Sequence, residues 1–406
     1  MRKLLFTIFS IFTTFTVFAE DTPESAKKTT KPAPTDSVQT AEQKKEAAEG
    51  KFTFSGYLDA YYFGNLNNPS TRSNLGITGV ERAFDQRAGQ FGIGLVQTKA
   101  SYTSNKIDGV IDLAFGPFAD LGNYGNVLSL NVGAATSTSL AIKQAYFTWK
   151  TTPKLSFTAG QFGTHIGYEV IDAPVNYNYS LSNLFNNGPF YHIGIKGQYA
   201  FSDKAYLMLG LVNNVDNIQD NNRAKGLIGQ LFFSPVSGWN VYLNAIVSNE
   251  ANADSLGKTR GTNSYSLFDL TTTYQITEKF FLGVNAAAGS QKGDYQGGTF
   301  ADKSKGWGGV ALYTNYAFSS AFGLGARYET FDNSSGIRFL RDPSTGEGRS
   351  VNSFTLTANI TAADGHLLLK PELRVDSYDK NTFFDERGNV TKKSQTTLGM
   401  AAIFKF

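Results

Sequence analysis

From Phe52 onward, hydrophobic and polar positions alternate with a period of two. Phe52, Phe54, Gly56, Leu58 and Ala60 interleave with Thr53, Ser55, Tyr57, Asp59 and Tyr61. Residues two apart on a strand share a face, so the pattern predicts a sheet with one apolar and one polar side. The cleanest copy sets Phe354, Leu356, Ala358 and Ile360 against Ser353, Thr355, Thr357, Asn359 and Thr361. The chain ends the same way, with Leu398, Met400, Ala402, Phe404 and Phe406 on one side. A solid core has no use for so many Gly, Thr and Asn on the second face.

Short and long connections alternate between these strands. Short turns are predicted near Ser104-Asn105, Thr152-Pro153, Ser202-Asp203, Pro235-Val236, Thr277-Glu278, Ser319-Ser320 and Asp364-Gly365. Longer polar segments lie around Asn65 to Arg87, Pro117 to Ser139, Gly163 to Gly188 and Asn214 to Lys225. Four more follow around Asn249 to Asn263, Gln291 to Lys305, Asp332 to Ser350 and Tyr378 to Lys393. Fifteen connections imply about sixteen strands, an even number, with both ends of the sheet on the short-turn side. Lys51 to Phe406 then allots about 22 residues to each strand with its connection, as strands of roughly 9 to 11 residues require. A sixteen-strand barrel is too wide for side chains to fill, so its bore holds water or a plug.

The ends and the composition place this sheet in a membrane. Arg2 and Lys3, the apolar stretch Leu4 to Thr16 and the small-residue site Val17-Phe18-Ala19 have the anatomy of an export signal over 1–19. Residues 20–50 carry Lys, Glu, Ala, Thr and Pro but no aromatic, and read as a low-complexity periplasmic tail, with Ala41 to Glu49 a short helix at most. After the signal no run reaches the roughly 18 apolar residues of a spanning helix, and a closed sheet is the other structure that satisfies its backbone within lipid. The expectation over 51–406 is therefore an all-β transmembrane antiparallel up-and-down β-barrel with short periplasmic turns and long external loops. A terminal strand ending in an aromatic, here Phe406, resembles the closing strand of a bacterial outer-membrane barrel. The implied partners are outer-membrane lipid and lipopolysaccharide of a Gram-negative cell, the barrel assembly machinery acting through that strand, and two further copies where the barrel forms a homotrimer. The formal charge of +3 falls to +1 once Arg2 and Lys3 are removed, which gives no basis for nucleic-acid binding. With no Cys and three His, disulfides and thiolate or His-rich metal sites are excluded, and no cofactor is implied.

Two places carry candidate chemistry. The third long loop, Gly163 to Gly188, is unusually apolar for an external segment, with Ile166, Tyr168, Val170, Ile171, Val175, Leu181, Leu184 and Phe185 among its residues. Either it folds into the barrel and narrows it, or it packs over the rim as a lid or subunit contact. Folded inward, it makes Glu169, Asp172, Asn176 and Tyr179 the candidate constriction; the alternative is that these cap the loop's own backbone. The second place is the polar face of the late strands, Arg327 and Glu329 followed by Lys370, Glu372, Arg374 and Asp376. Charge near the midplane on the lipid face costs roughly 2 to 4 kcal/mol, so these six are expected to line the pore. There they either set up a transverse field that sorts solutes or neutralise one another in the wall. Tyr62, Phe63, Phe147, Trp149, Phe201, Tyr206 and Tyr328 are among the aromatics expected at the membrane interfaces. No G-x-S-x-G, H-E-x-x-H or P-loop occurs, and Asp216 and Asp220 lack the spacing of a calcium loop.

The segment from Ala159 to Tyr199 resembles the signature of the OmpL-like β-barrel porins, the second β-barrel porin group. Its Gly167-Tyr168-Glu169 and Asn176 to Phe190 runs are the specific part. Ala145-Tyr146, Arg327-Tyr328-Glu329 and Lys370-Pro371-Glu372-Leu373-Arg374-Val375-Asp376 support it. Members often carry a basic residue after the Ser that matches Ser180, where this chain has Leu181. The resemblance implies an outer-membrane porin-like barrel and says little about the solute. Lumen, loop and charges together predict a passive diffusion channel for small hydrophilic solutes or ions, with its constriction formed by the third loop and the lumen charges, and not an enzyme. The rival expectation is a plugged barrel with a structural or adhesive role.

Overall fold

The computed structural model describes residues 50–82, 84–122, 142–216, 220, 222–251, 264–292 and 303–406. The first half of the sheet comprises β1 (Lys51–Asn65), β2 (Phe91–Thr103), β3 (Ile107–Phe115), β4 (Ile142–Lys150), β5 (Leu155–Gly163), β6 (Tyr191–Ser202), β7 (Ala205–Val212) and β8 (Gly226–Val236). It continues with β9 (Trp239–Asn249), β10 (Ser264–Gln275), β11 (Phe280–Gln291), β12 (Lys305–Ala317), β13 (Phe322–Asp332), β14 (Ser350–Ala362) and β15 (Leu367–Tyr378). A two-stranded hairpin, β16 (Phe383–Phe384) with β17 (Val390–Lys392), stands in the last long loop, and β18 (Ser394–Lys405) ends the sheet. From β1 to β15 each strand pairs antiparallel with its sequence neighbours, β15 pairs with β18 past the separate hairpin, and β18 pairs with β1 from Tyr57↔Lys405 to Asn65↔Thr397, closing a barrel of sixteen strands. Closure leaves no unpaired edge, the condition for strands in lipid. Among the described residues no helix is long and apolar enough to cross a membrane.

Long and short connections alternate as the sequence indicates. One turn is displaced: the chain reverses at Ser237-Gly238, not at Pro235-Val236, which lie inside β8. The β8/β9 register slips between Phe233 and Val236, and such an irregularity accommodates a proline that cannot donate to the ladder. Gly238 supplies the turn's positive φ of 78°.

The alternation sorts outward from inward residues. On β18, Leu398, Met400 and Phe404 are exposed to the lipid side while Thr397, Ala401 and Ile403 are buried. Of the expected interface aromatics, Tyr62, Phe147, Trp149, Phe201 and Tyr328 lie exposed, but Phe63 and Tyr206 point into the barrel and are buried. The expectation of a polar inner face holds only in part on six of the sixteen strands, where Gln230, Asn244, Asp269 and Asn285 share the interior with apolar residues. Met208, Ile228, Tyr242, Ile246, Leu267 and Tyr313, on strands β7 to β12, form an apolar cluster inside the barrel with Ile166 and Leu184 of the third long loop. The loop is the plug against which this wall packs, so burial rather than water covers it.

Candidate functional site: a folded-in third loop and the passage beside it

The third long loop, residues 164–190, runs inside the barrel, and the polar face of β13 to β15 binds its backbone peptide by peptide. Lys370 donates to the carbonyl of Asn176. Glu372 accepts the N–H of Tyr179 at 2.7 Å and that of Ser180 at 3.1 Å, as well as the hydroxyl of Thr357 at 2.7 Å. Arg327 donates to the Ser180 carbonyl at 2.6 Å and forms an ion pair with Glu169, whose other oxygen accepts the N–H of Ser182 at 2.8 Å. Arg374 donates to the Leu181 carbonyl at 2.8 Å. Glu329 accepts the N–H of Asn183, its side-chain amide and the N–H of Leu184, all within 2.9 Å, at the start of the short helix α2 (Asn183–Asn187). A loop buried in a barrel leaves its peptide groups without water, and these charged side chains take water's place.

This placement corrects the expectation that the six charges line open water. Arg327, Glu329, Lys370, Glu372, Arg374 and Asp376 do project inward, but each is at most 2% exposed beneath the loop. Period-two alternation indicates which face a residue occupies; what covers that face is a separate matter. The ions are mutually compensated. Asp376 accepts from Arg374 at 2.8 Å and from Arg82 at 2.9 Å, the latter dipping in from the first long loop, and Arg82 also pairs with Asp85. Tyr179, expected at the constriction, is buried instead, its hydroxyl donating to Asp59 at 2.6 Å. Asn176 bonds to both the N–H and the carbonyl of Val170, so it does brace the loop's own backbone.

A cavity of about 540 Å³ remains between the loop and the wall, and Glu169, Asp172 and Asn176 border it. Its polar wall comes from β2, β3 and β4, through Gln97, Lys99, Asp112, Lys143 and Gln144, none of which was singled out from the sequence. Lys143 joins wall to loop, 2.6 Å from Asp172 and 3.2 Å from Asp112. Gln97 and Gln144 also donate to Asp112, at 2.9 and 3.2 Å. A register slip opposite Asp112 and Leu113 turns both Lys143 and Gln144 inward, as a β-bulge does. At the long-loop end, Phe84, Phe118 of α1 (Pro117–Leu121), Phe185 and Phe190 close over this region, with ring centroids 5.2 to 6.1 Å apart.

The remaining candidates are otherwise engaged. His165 and His192 are buried inside the barrel with ring centroids 5.6 Å apart, away from any surface. Among the described residues no group of three or more His, Asp and Glu is placed to hold a metal. Asp220 pairs with Lys225, and Asp216 accepts the N–H of Phe190 at 2.6 Å and of Tyr191 at 3.1 Å, tying the fourth long loop to the end of the third. Burial pushes the Asp216 carboxyl up from its ordinary value near 3.8 to about 7, against the lowering effect of those two N–H groups and Arg338. A folded-state value above the unfolded one means stability present at low pH and lost as pH rises from about 4 through 7. The thermal midpoint of the wild type in detergent is therefore expected to fall over that window relative to Asp216→Asn, which does not ionise. Parallel curves for the two proteins would contradict this.

A closed sixteen-strand barrel with an apolar outer band, long loops at one end and a loop folded into its bore defines the class of outer-membrane porins. The chain belongs to the family described as "Putative beta-barrel porin-2, OmpL-like", whose model matches residues 51–406. It is accordingly an outer-membrane protein of porin type. Solved structures agree in fold. OmpT of Vibrio cholerae lacking loop L8 matches with a TM-score of 0.55 at 13% identity, over 88% of this chain and 99% of that one. The outer-membrane channel DcaP of Acinetobacter baumannii gives 0.55 at 11%, over 89% and 98%, and OprB of Pseudomonas putida 0.53 at 12%, over 90% and 96%. At these identities the likeness concerns the fold. No curated protein matches the chain in sequence.

Proposed function

We propose that the protein is a passive diffusion channel for small hydrophilic solutes, whose path runs between the third loop and the wall of β2 to β4. The observation that carries this reading is the contrast around the bore. On β7 to β12 the loop packs mainly on apolar side chains, with Gln230 donating to its His165 carbonyl and Asp269 accepting its Gly167 N–H, and on β13 to β15 it is fixed by charged hydrogen bonds. On the remaining side a cavity of about 540 Å³ is bordered by Lys99, Asp112, Lys143, Gln144 and Asp172. Polar and charged groups at a narrow point replace part of a solute's hydration and filter it by size and charge. Residues 1–19 serve as the export signal and 20–50 as a periplasmic tail; both lie outside the described residues except Gly50.

One observation favours a second reading. The Phe84, Phe118, Phe185 and Phe190 cluster, together with the apolar packing between the loop and β7 to β12, occupies part of the lumen, as a plugged structural barrel would. Current through the purified protein in a planar bilayer separates the two. Discrete single-channel steps are expected, and a silent membrane at protein densities that conduct for a known porin would favour the plugged barrel.

A further inference from the structure

The ion pair that joins the third loop to the cavity wall is asymmetric. Lys143, on β4, is shared: its ammonium lies 2.6 Å from both carboxylate oxygens of Asp172 on the loop and 3.2 Å from Asp112 on β3. Asp112 has further donors in Gln97, at 2.9 Å, and Gln144, at 3.2 Å. Asp172 depends on Lys143, since no other donor reaches its carboxylate among the described residues. Its side chain is 18% exposed, against 1% for Asp112, and it borders the cavity. Elsewhere the loop is fixed to β13 to β15 by charged hydrogen bonds and to β7 to β12 mainly by apolar packing, so this contact is the polar closure on the cavity side.

We propose that Asp172 determines the specificity of the channel, admitting small cations that carry an ammonium group in preference to anions; this rests on the channel reading above. A solute passing between loop and wall here must part Lys143 from Asp172. Lys143 then keeps Asp112 as its counter-ion and offers no uncompensated charge to an anion. Asp172 is left a carboxylate without a donor in a confined passage, and a cation that partners it offsets that cost. The vacated place fits an ammonium, because the ammonium of Lys143 fills it with both oxygens 2.6 Å away, and an incoming N–H donor repeats those bonds. An anion meets the carboxylate with nothing to offer it, and a zwitterion brings one group that Asp172 holds and one that it repels. The other charges bordering the cavity are Glu169, which pairs with Arg327, Lys99, which stands opposite Asp112 in the β2/β3 register, and Lys405, which is exposed at the short-turn end, where water screens it.

The test is the reversal potential of single channels of the full mature chain in a planar bilayer, under a gradient of ethanolammonium chloride and then of tetramethylammonium chloride. Wild type is expected to pass ethanolammonium roughly ten-fold more readily than chloride, the ratio that about 1.4 kcal/mol gives. It should also pass ethanolammonium more readily than tetramethylammonium, which has the charge but no N–H. In Asp172→Asn and in Asp172→Ala the preference for ethanolammonium over chloride should fall toward unity, with single-channel steps still reporting a folded barrel. In Lys143→Gln it should persist, because Asp172 is then open to solutes from the start. A preference for chloride in wild type, a cation preference that survives both Asp172 substitutions or is lost in Lys143→Gln, or equal passage of the two cations overturns the inference while leaving a channel. Steps from none of these proteins overturn the channel reading itself.

Discussion

Replacing Arg327 with Met is expected to destabilise the barrel by about 3 to 5 kcal/mol, the usual consequence of stranding one member of a buried ion pair. Arg327 is 1% exposed and is the cation for Glu169, which is itself 5% exposed and also holds the N–H of Ser182. Without the guanidinium, the nearly buried Glu169 carboxyl loses its cation, and the Ser180 carbonyl loses its donor. Arg327→Met/Glu169→Gln should recover much of the loss, because it removes both charges and leaves an amide that still accepts from Ser182. Urea unfolding of the reconstituted wild type, the two single variants and the double variant measures the coupling. If the double variant were as unstable as the sum of the singles, the pair would not be a unit.

The second large effect concerns the bore. Replacing Glu169 to Leu184 by a short Gly/Ser linker is expected to raise single-channel conductance several-fold with the barrel intact. The sheet closes through its own ladder, with neighbouring strands paired around the full circle, so no strand depends on the loop for its backbone partners. The loop's removal also differs in kind from the loss of Arg327. Arg327, Glu329, Lys370, Glu372 and Arg374 lose their loop partners but meet water, which solvates them, instead of a packed interior that does not. The apolar wall of β7 to β12 becomes exposed to the lumen, and some loss of stability should accompany the wider channel. An unchanged conductance would mean that current does not pass through this bore at all.

The parts of this architecture that depend on a residue's own face were legible in the chain. Period-two alternation on β1, β14 and β18, together with the alternation of short and long connections, gave the closed sheet of sixteen strands. The apolar content of the third loop allowed for its entry into the barrel, and the lumen-ward direction of Arg327, Glu329, Lys370, Glu372, Arg374 and Asp376 followed from the cost of charge in lipid. What stayed hidden depends on residues far apart in sequence. Alternation cannot show that Glu372 will meet the N–H of Tyr179, 193 residues away, so buried anchors looked like a wetted wall. Lys143 escaped notice because a bulge gives no signal in the period: Lys143 and Gln144 are adjacent, and strict alternation sends one of them outward. The apolar part of the inner wall did leave a trace, since β7 reads AYLMLGLV with both faces apolar, the pattern of a strand covered on two sides.

The chain contains no Cys, so single introduced thiols report where the path runs without background. The most direct measurement is block of single-channel current by a charged thiol reagent in two variants. Gln144→Cys places the thiol beside the cavity, and Thr355→Cys places it behind the loop, where the native side chain is 0% exposed and accepts from Arg327. Rapid, stepwise block of Gln144→Cys and little effect on Thr355→Cys are expected. Block of Thr355→Cys with Gln144→Cys untouched would place the water on the other side of the third loop and contradict the proposed path.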